Sequence, residues 1–402
     1  MSMPALRFDF DFDSDWNETP LSTLLTFNNG INASKDSYGH GRKFINVLDI
    51  LNNEYILYDD VIGSVSVSER QEEVSKVEYG DMLFLRSSET REDVGKSSTY
   101  LDKNEYALFG GFVIRGKKVG EYNPYFLKLL LDTSSARDQV SSKAGGSTRY
   151  NVSQTILNSV SLYMPSLEEQ HKIATFFSLL DQKIVKQQEK IKQLEQFKKG
   201  MMKKIFSQEI RFKDKNGQEF PEWEERYLGD IVETFSGGTP TSTNSNFYNG
   251  DIPFIRSAEI NSNSTELRIN KTGLNNSSAK MIRVGDLLVA LYGANSGDTA
   301  ISKLEGAINQ AILCIRSKHD TKFIKLFLDN NKQNILSTYL QGGQGNLSAN
   351  IIKKLIIHIP SLEEQHKIAS NLSLIGSKIE KEFEKQTSLI ELKKGLMQKM
   401  FV

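Results

Sequence analysis

Side chains able to do chemistry are few in this 402-residue chain, and their spacing suits no reaction. Cys314 is the single cysteine, which excludes an internal disulfide and a CxxC metal site, and five scattered histidines offer little toward one. Gly111–Lys118 reads GFVIRGKK, close to a phosphate-binding loop. Its last residue is Lys where a hydroxyl must hold magnesium, and FVIR has the pattern of a strand. Gly342-Gly343-Gln344-Gly345, just before a helix start at Asn346–Ser348, could approach a phosphate, although a tight turn is the simpler reading. GxSxG and HExxH do not occur, and no two prolines are adjacent, so an Asp/Asn-Pro-Pro-aromatic methyltransferase motif is missing too. The expectation is a chain that binds no metal and does no chemistry of its own.

The informative pattern is a repeat. PSLEEQHKIA at Pro165–Ala174 returns at Pro360–Ala369, and Pro165–Phe206 and Pro360–Phe401 share 24 of 42 residues without a gap. Each copy predicts a long helix with an explicit start. In S-x-x-E (Ser166 and Glu169, then Ser361 and Glu364) the hydroxyl caps an early N–H and the carboxylate reaches back. Counted in steps of four and three, Ile173, Phe177, Leu180, Ile184, Ile191, Leu194, Met201 and Ile205 form a heptad seam, broken at Gln187 and Lys198. The second copy gives Ile368, Leu372, Ile375, Ile379, Leu389, Leu396 and Met400, broken at Glu382, Gln386 and Lys393. Two exposed apolar stripes are best hidden against each other. Connectivity then predicts an antiparallel pair, with Val402 returning to the first globular unit. About 40 residues at ~1.5 Å each make a rod of roughly 60 Å, or roughly 18 base pairs of duplex at ~3.4 Å.

The intervening units echo each other more weakly. Trp16, Leu21, Leu24 and Gly30 match Trp223, Leu228, Ile231 and Gly237. Gly80-Asp81-Met82-Leu83 faces Gly285-Asp286-Leu287-Leu288 as a turn before a strand, and Phe126–Asp132 faces Phe323–Asp329 as a helix. Short β-rich runs at Met82–Leu85, Phe112–Ile114, Leu287–Leu291 and Ile312–Ile315 predict an α+β fold: two similar mixed α/β domains separated by a long antiparallel two-helix coiled coil, an internal repeat with pseudo-two-fold symmetry. The expected division is a first domain over 1–164, a helix over 165–206, a polar linker over 207–217, a second domain over 218–359 and a C-terminal helix over 360–402.

Apolar content of 38% and the lack of a membrane-length apolar run or a signal peptide predict a cytoplasmic protein with no membrane role. Net charge is zero, unusual for a nucleic-acid binder, but its distribution is uneven. Residues 1–150 carry 17 basic against 23 acidic side chains, whereas Pro165–Phe206 carries nine against five. Asp9, Asp11, Asp13 and Asp15 read as a solvated acidic tail.

Two diverged domains alternating with two near-identical helices resemble the specificity subunit of a type I restriction–modification system. PSLEEQ at each helix start, FPEW at Phe220–Trp223, Thr239-Pro240, IPFIR at Ile252–Arg256 and GDLL at Gly285–Leu288 carry that resemblance. It implies a non-catalytic DNA-recognition subunit in which each domain reads half of a split site. The helix pair would set the spacing and dock two methyltransferase (modification) subunits, which restriction/translocase subunits then join. S-adenosylmethionine, ATP and Mg would be bound by those partners and not by this chain.

Base edges in the major groove are read by Arg, Asn, Gln and hydroxyls, so polar loops supply the candidates on double-stranded DNA. They are Arg42, Lys43, Arg86, Ser88, Arg149 and Asn151 in the first domain. In the second they are Arg256, Ser257, Tyr292, Asn295, Ser296, Gln344 and Asn346. For each, a solvated or turn-stabilising residue is the plainer alternative, and Tyr292 could be a half-buried strand-end tyrosine. His171 and His366 are expected to make polar contacts at a helix start or partner surface. Lys198-Lys199 and Lys393-Lys394 are expected to favour a helix C-terminal dipole or touch phosphate. Outer-face Phe176, Phe197 and Phe383 hint at a partner surface. The rival readings are a helical scaffold or adaptor bridging two protein-binding domains without DNA, and a freestanding DNA-modifying enzyme.

Overall fold

The computed structural model describes residues 4–8, 15–146, 148–339 and 346–401. It divides into two compact units, Met1–Gln188 with Glu384–Val402, and Glu189–Phe383. Both boundaries fall inside the long helices, so each unit owns part of each helix.

In the first unit, strands β1 (Leu25–Asn29), β2 (Met82–Leu85), β3 (Ser97–Thr99) and β4 (Val113–Lys118) form an antiparallel sheet in the order β1-β4-β2-β3. GFVIRGKK therefore supplies a strand and no phosphate loop. Every residue of β2 is buried, because helix α1 (Pro124–Leu131) and the long helices cover one face and a second apolar cluster the other. Gly80 precedes β2 with φ +93°, a left-handed turn that only glycine adopts without strain. The chain then runs into α2 (Leu167–Phe206).

The second unit repeats this plan. Strands β5 (Val232–Ser236), β6 (Leu287–Ala290), β7 (Thr299–Ile301) and β8 (Ile312–Ser317) pair antiparallel in the order β5-β8-β6-β7. Helix α3 (Thr321–Tyr339) takes the place of α1, and Gly285 has φ +95° before β6. Helix α4 (Leu362–Met400) closes the chain. Each unit also has a second sheet, three-stranded in the first unit and four-stranded in the second, with a parallel pair, Phe44-Ile45 on Leu108-Phe109 and Phe254-Ile255 on Ala307-Ile308. Shared strand order at low sequence similarity is expected where buried apolar positions set the scaffold and exposed loops diverge.

Within each unit the long helices run in opposite directions. Ile173, Phe177 and Leu180 of α2 share the first core with Met400 and Phe401, and Ile184, Leu389 and Leu396 pack against it. Met202 and Ile205 share the second core with Ile368 and Leu372, while Met201 and Ile375 pack against that core. The start of one helix thus meets the end of the other in both units. Ile191 and Ile379 are buried and Leu194 half-buried, completing the seam. Phe401 stacks on Phe126 and meets Trp16 edge-on. Phe206 makes the corresponding contacts with Phe323 and Trp223. Val402 and Asp9, Asp11 and Asp13 lie outside the described residues, and Asp15 is exposed.

The seam breaks at Glu382 and Lys393 are paired. Glu382, 4% exposed, accepts from Lys190 at 2.9 Å. Lys393 does not serve a helix dipole or a phosphate. It lies 2.7 Å from Asp181 and 3.2 Å from Glu54, with its side chain only 17% exposed. Burial of a cation demands compensating carboxylates, and two are present.

Candidate nucleic-acid interface

The repeated PSLEEQH motif ties each long helix to its own unit. The Ser166 and Ser361 hydroxyls accept from the N–H groups of Glu169 and Glu364 as expected. The carboxylates, however, do not reach back. Glu169, 1% exposed, takes a bidentate pair from Arg7 at 2.9 and 2.6 Å. Glu364, fully buried, accepts from Arg211 at 3.0 Å and from the Trp223 indole at 3.1 Å. A buried carboxylate prefers a guanidinium fork to a helix N–H that water or a hydroxyl can satisfy. Next along, Gln170 and Gln365 accept from the N–H groups of Asn123 and Asp320, the residues that cap α1 and α3. His171 and His366 contact the side chains of those same residues at 2.8 and 2.5 Å. The motif is a latch between long helix and domain helix.

In the first unit, the structure gathers four of the predicted readers on one edge. Ser87-Ser88 pairs antiparallel with Tyr150-Asn151, and the Val152 N–H donates to the Arg86 carbonyl at 2.9 Å. Arg86 and Asn151 line a polar cleft of about 450 Å³ with Asn29, Ser153, Gln154 and Thr155. The Arg86 guanidinium donates to the Gly111 carbonyl at 3.2 Å, and the Ser88 hydroxyl accepts from Thr90 N–H. Arg149 is 61% exposed, and among the described residues its carboxylate contact is Glu89 at 3.5 Å, itself 80% exposed. Arg91 lies over the Tyr150 ring at 4.9 Å.

The second unit repeats one bond of this edge. Leu347 N–H donates to the Leu291 carbonyl at 3.0 Å, repeating the bond between Val152 and Arg86. Tyr292 packs half-buried against the core, so its ring serves the fold first. Asn295 and Ser296 follow in a tight loop between Gly293 and Gly297, both with φ +80°, where the Ser296 hydroxyl donates to the Leu291 carbonyl. Asn346 is exposed beside Leu347, and Gln344, with the glycines around it, lies outside the described residues.

Four predicted readers sit elsewhere, Arg42 and Lys43 on a strand of the first unit's second sheet and Arg256 and Ser257 just after a strand of the second unit's. Arg42 is held by Glu105 at 3.0 Å, by Glu72 at 3.7 Å and by stacking 4.2 Å from the Tyr106 ring centre. Lys43 donates to the Val61 carbonyl at 2.6 Å. Arg256 is gripped by Glu259 and Glu266, which hold its guanidinium protonated even more firmly than usual, and Ser257 opens the short helix that Glu259 caps. These arginines are committed to carboxylates.

The geometry finds its counterpart in known proteins. The family model described as "Type I restriction modification DNA specificity domain" matches residues 14–196 and 221–392. The chain belongs to that family. A putative type I restriction enzyme specificity subunit of Methanocaldococcus jannaschii is 27% identical over 96% of this chain and 93% of its own length. The StySPI specificity subunit of Salmonella potsdam is 23% identical over 88% and 80%. A type I restriction–modification S subunit structure from M. genitalium aligns with all of this chain and 99% of its own, at TM-score 0.59 and 15% identity. A chain from a structure of type I R-M complex assembly and conformational transition gives TM-score 0.61 at 16% identity. Each specificity-domain match couples a domain to the helix that comes after it in sequence. In space, each domain additionally takes up the end of the other helix.

Arg91, Tyr150, Arg7 and Arg211 were missed as candidates. Arg91 and Tyr150 lie far apart in the chain and give no local signal, and the clamps of Arg7 and Arg211 join residues 162 and 153 positions apart. Phe197 and Phe383 are exposed as expected, at 56% and 46%, but Phe176 is covered by Phe8 at 5.3 Å. No helix among the described residues is long and apolar enough to cross a membrane, and no described cluster of His, Cys, Asp or Glu could hold a metal.

Proposed function

We propose that this chain acts as the non-catalytic, sequence-specific DNA-recognition subunit of a cytoplasmic type I restriction–modification complex. Each unit reads one half of a bipartite duplex site, and the helix pair sets the spacing. The observation that carries this reading is the repetition of one sheet order, one latch and one loop-edge bond in two units threaded by antiparallel helices, over a chain that matches the specificity family almost throughout. Two methyltransferase subunits dock on the helix pair, whose exposed Leu179, Val185, Phe197, Leu374 and Ile390 give them apolar surface, and restriction/translocase subunits join that core. S-adenosylmethionine, ATP and Mg are bound by those partners. Zero net charge fits a division of labour in which the partners supply much of the phosphate contact that dominates affinity.

The test is co-expression with the cognate methyltransferase subunit, purification of the complex, and retention of duplex at several salt concentrations. Salt-sensitive retention with one preferred bipartite site is expected. A complex that retains no duplex at any salt favours the scaffold reading.

A further inference from the structure

The two units share one bond of this edge, and the first unit's edge is rich in arginine. Among the first unit's predicted arginine readers, Arg42 is held by two carboxylates and Arg86 donates to a backbone carbonyl. Among the described residues Arg149 has a loose, solvent-exposed pair with Glu89, an interaction of the kind worth little in water. Such a pair is exchanged readily for a better acceptor. Arg91 is exposed and steered onto the same edge by the Tyr150 ring, and Tyr150 lies between Arg149 and Asn151 on the strand that pairs with Ser87-Ser88. Asn151 adds an exposed amide at the mouth of the cleft that Arg86 and Asn29 line.

A planar guanidinium fork matches the O6 and N7 acceptors of guanine, and an amide matches the N6 and N7 edge of adenine. Resting on the DNA-recognition reading above, we infer that the edge formed by Arg149, Arg91 and Asn151 is the base-reading surface of the first unit, that its half-site contains a G·C pair, and that Arg149 is the specificity-determining residue for that pair. Glu89 holds Arg149 in the absence of DNA and competes with the base.

The experiment uses the full chain co-expressed with its methyltransferase subunits, with methylated motifs mapped genome-wide and duplex binding measured against salt. Arg149→Ala relaxes one guanine-containing position of one half-site by roughly ten- to hundred-fold in discrimination, leaving the other half-site and the gap unchanged. Arg149→Lys keeps the charge but not the fork and fails to restore it. Glu89→Gln tightens binding to the wild-type motif. An unchanged motif in Arg149→Ala overturns the inference. So does a uniform loss across sequences with a salt slope shallower by about one, which marks a phosphate contact. A wild-type complex with no bipartite motif instead overturns the DNA-recognition reading itself.

Discussion

Lys393 of α4 lies 2.7 Å from the carboxylate of Asp181 on α2, closing a chain of charges that runs through Glu54 to Lys128 of α1 and Asp132 at its C-terminal cap. The Tyr125 hydroxyl also donates to Asp181. The first unit therefore ties both long helices to its domain helix with partly buried ions. At the repeat-related place in the second unit, Lys198 corresponds to Lys393 and Gly376 to Asp181.

That difference makes Gly376 a site for a gain of stability. A Cβ on Gly376 would lie 3.4 Å from the Lys198 ammonium, within reach of an added carboxylate. Gly376→Asp removes a helix-interior glycine and adds a cross-helix pair, so stabilisation of about 1 kcal/mol is expected. A thermal melt that is unchanged or lowered would count against the pairing geometry. Asp181→Ala should lower the melting temperature by leaving Lys393 with Glu54 alone.

Glu364 is the single acceptor shared by Arg211 and the Trp223 indole, and it is fully buried. Glu364→Ala removes the acceptor of the Trp223 indole and leaves Arg211 with the Phe220 and Pro221 carbonyls, and is expected to cost about 3 kcal/mol, in the range for breaking a buried pair. Denaturant midpoints check this. Glu363→Ala, one residue earlier and exposed, should be neutral.

If the helix pair is a ruler, its length sets the gap in the recognised motif. Inserting seven residues at matched seam positions of both helices keeps the heptad phase and adds ~10 Å, about three base pairs at ~1.5 Å per residue and ~3.4 Å per pair. The methylated motif should show that longer gap, and an unchanged gap refutes the ruler. A single residue inserted in one helix rotates the remainder of that helix by about 100° and should abolish recognition.

Burial pushes the Glu54 carboxyl up, but the Lys128 and Lys393 ammoniums outweigh it and hold it at about 2, below the usual 4.5. A depressed carboxyl stabilises the fold above its unfolded pKa, and that stability is lost as pH falls from 4.5 toward 2. The side chain is 47% exposed, so solvent screening limits the effect to about 1 kcal/mol. Asp132 is shifted upward, by burial, and works in the opposite sense. The test is therefore the difference between wild type and Glu54→Gln in urea midpoints from about pH 7 to about pH 3, a span that enters the window of loss. The gap between the two should narrow as the pH falls.

The long helices, their start at Ser166 and Ser361, their seam and their antiparallel sense were legible in the chain, because capping and heptad spacing act between residues a few positions apart and connectivity fixes direction. Strands such as Met82–Leu85 and the turn at Gly80 were legible for the same reason. Tertiary structure alone decided where the charges go. Glu169 abandoned its cap for Arg7, Lys393 turned inward to Asp181 and Glu54, Arg211 went to Glu364, and Arg42 to Glu105, while Arg149 found the exposed Glu89. A charged side chain takes the partner that folding brings near, and sequence spacing carries no record of partners tens to hundreds of residues away.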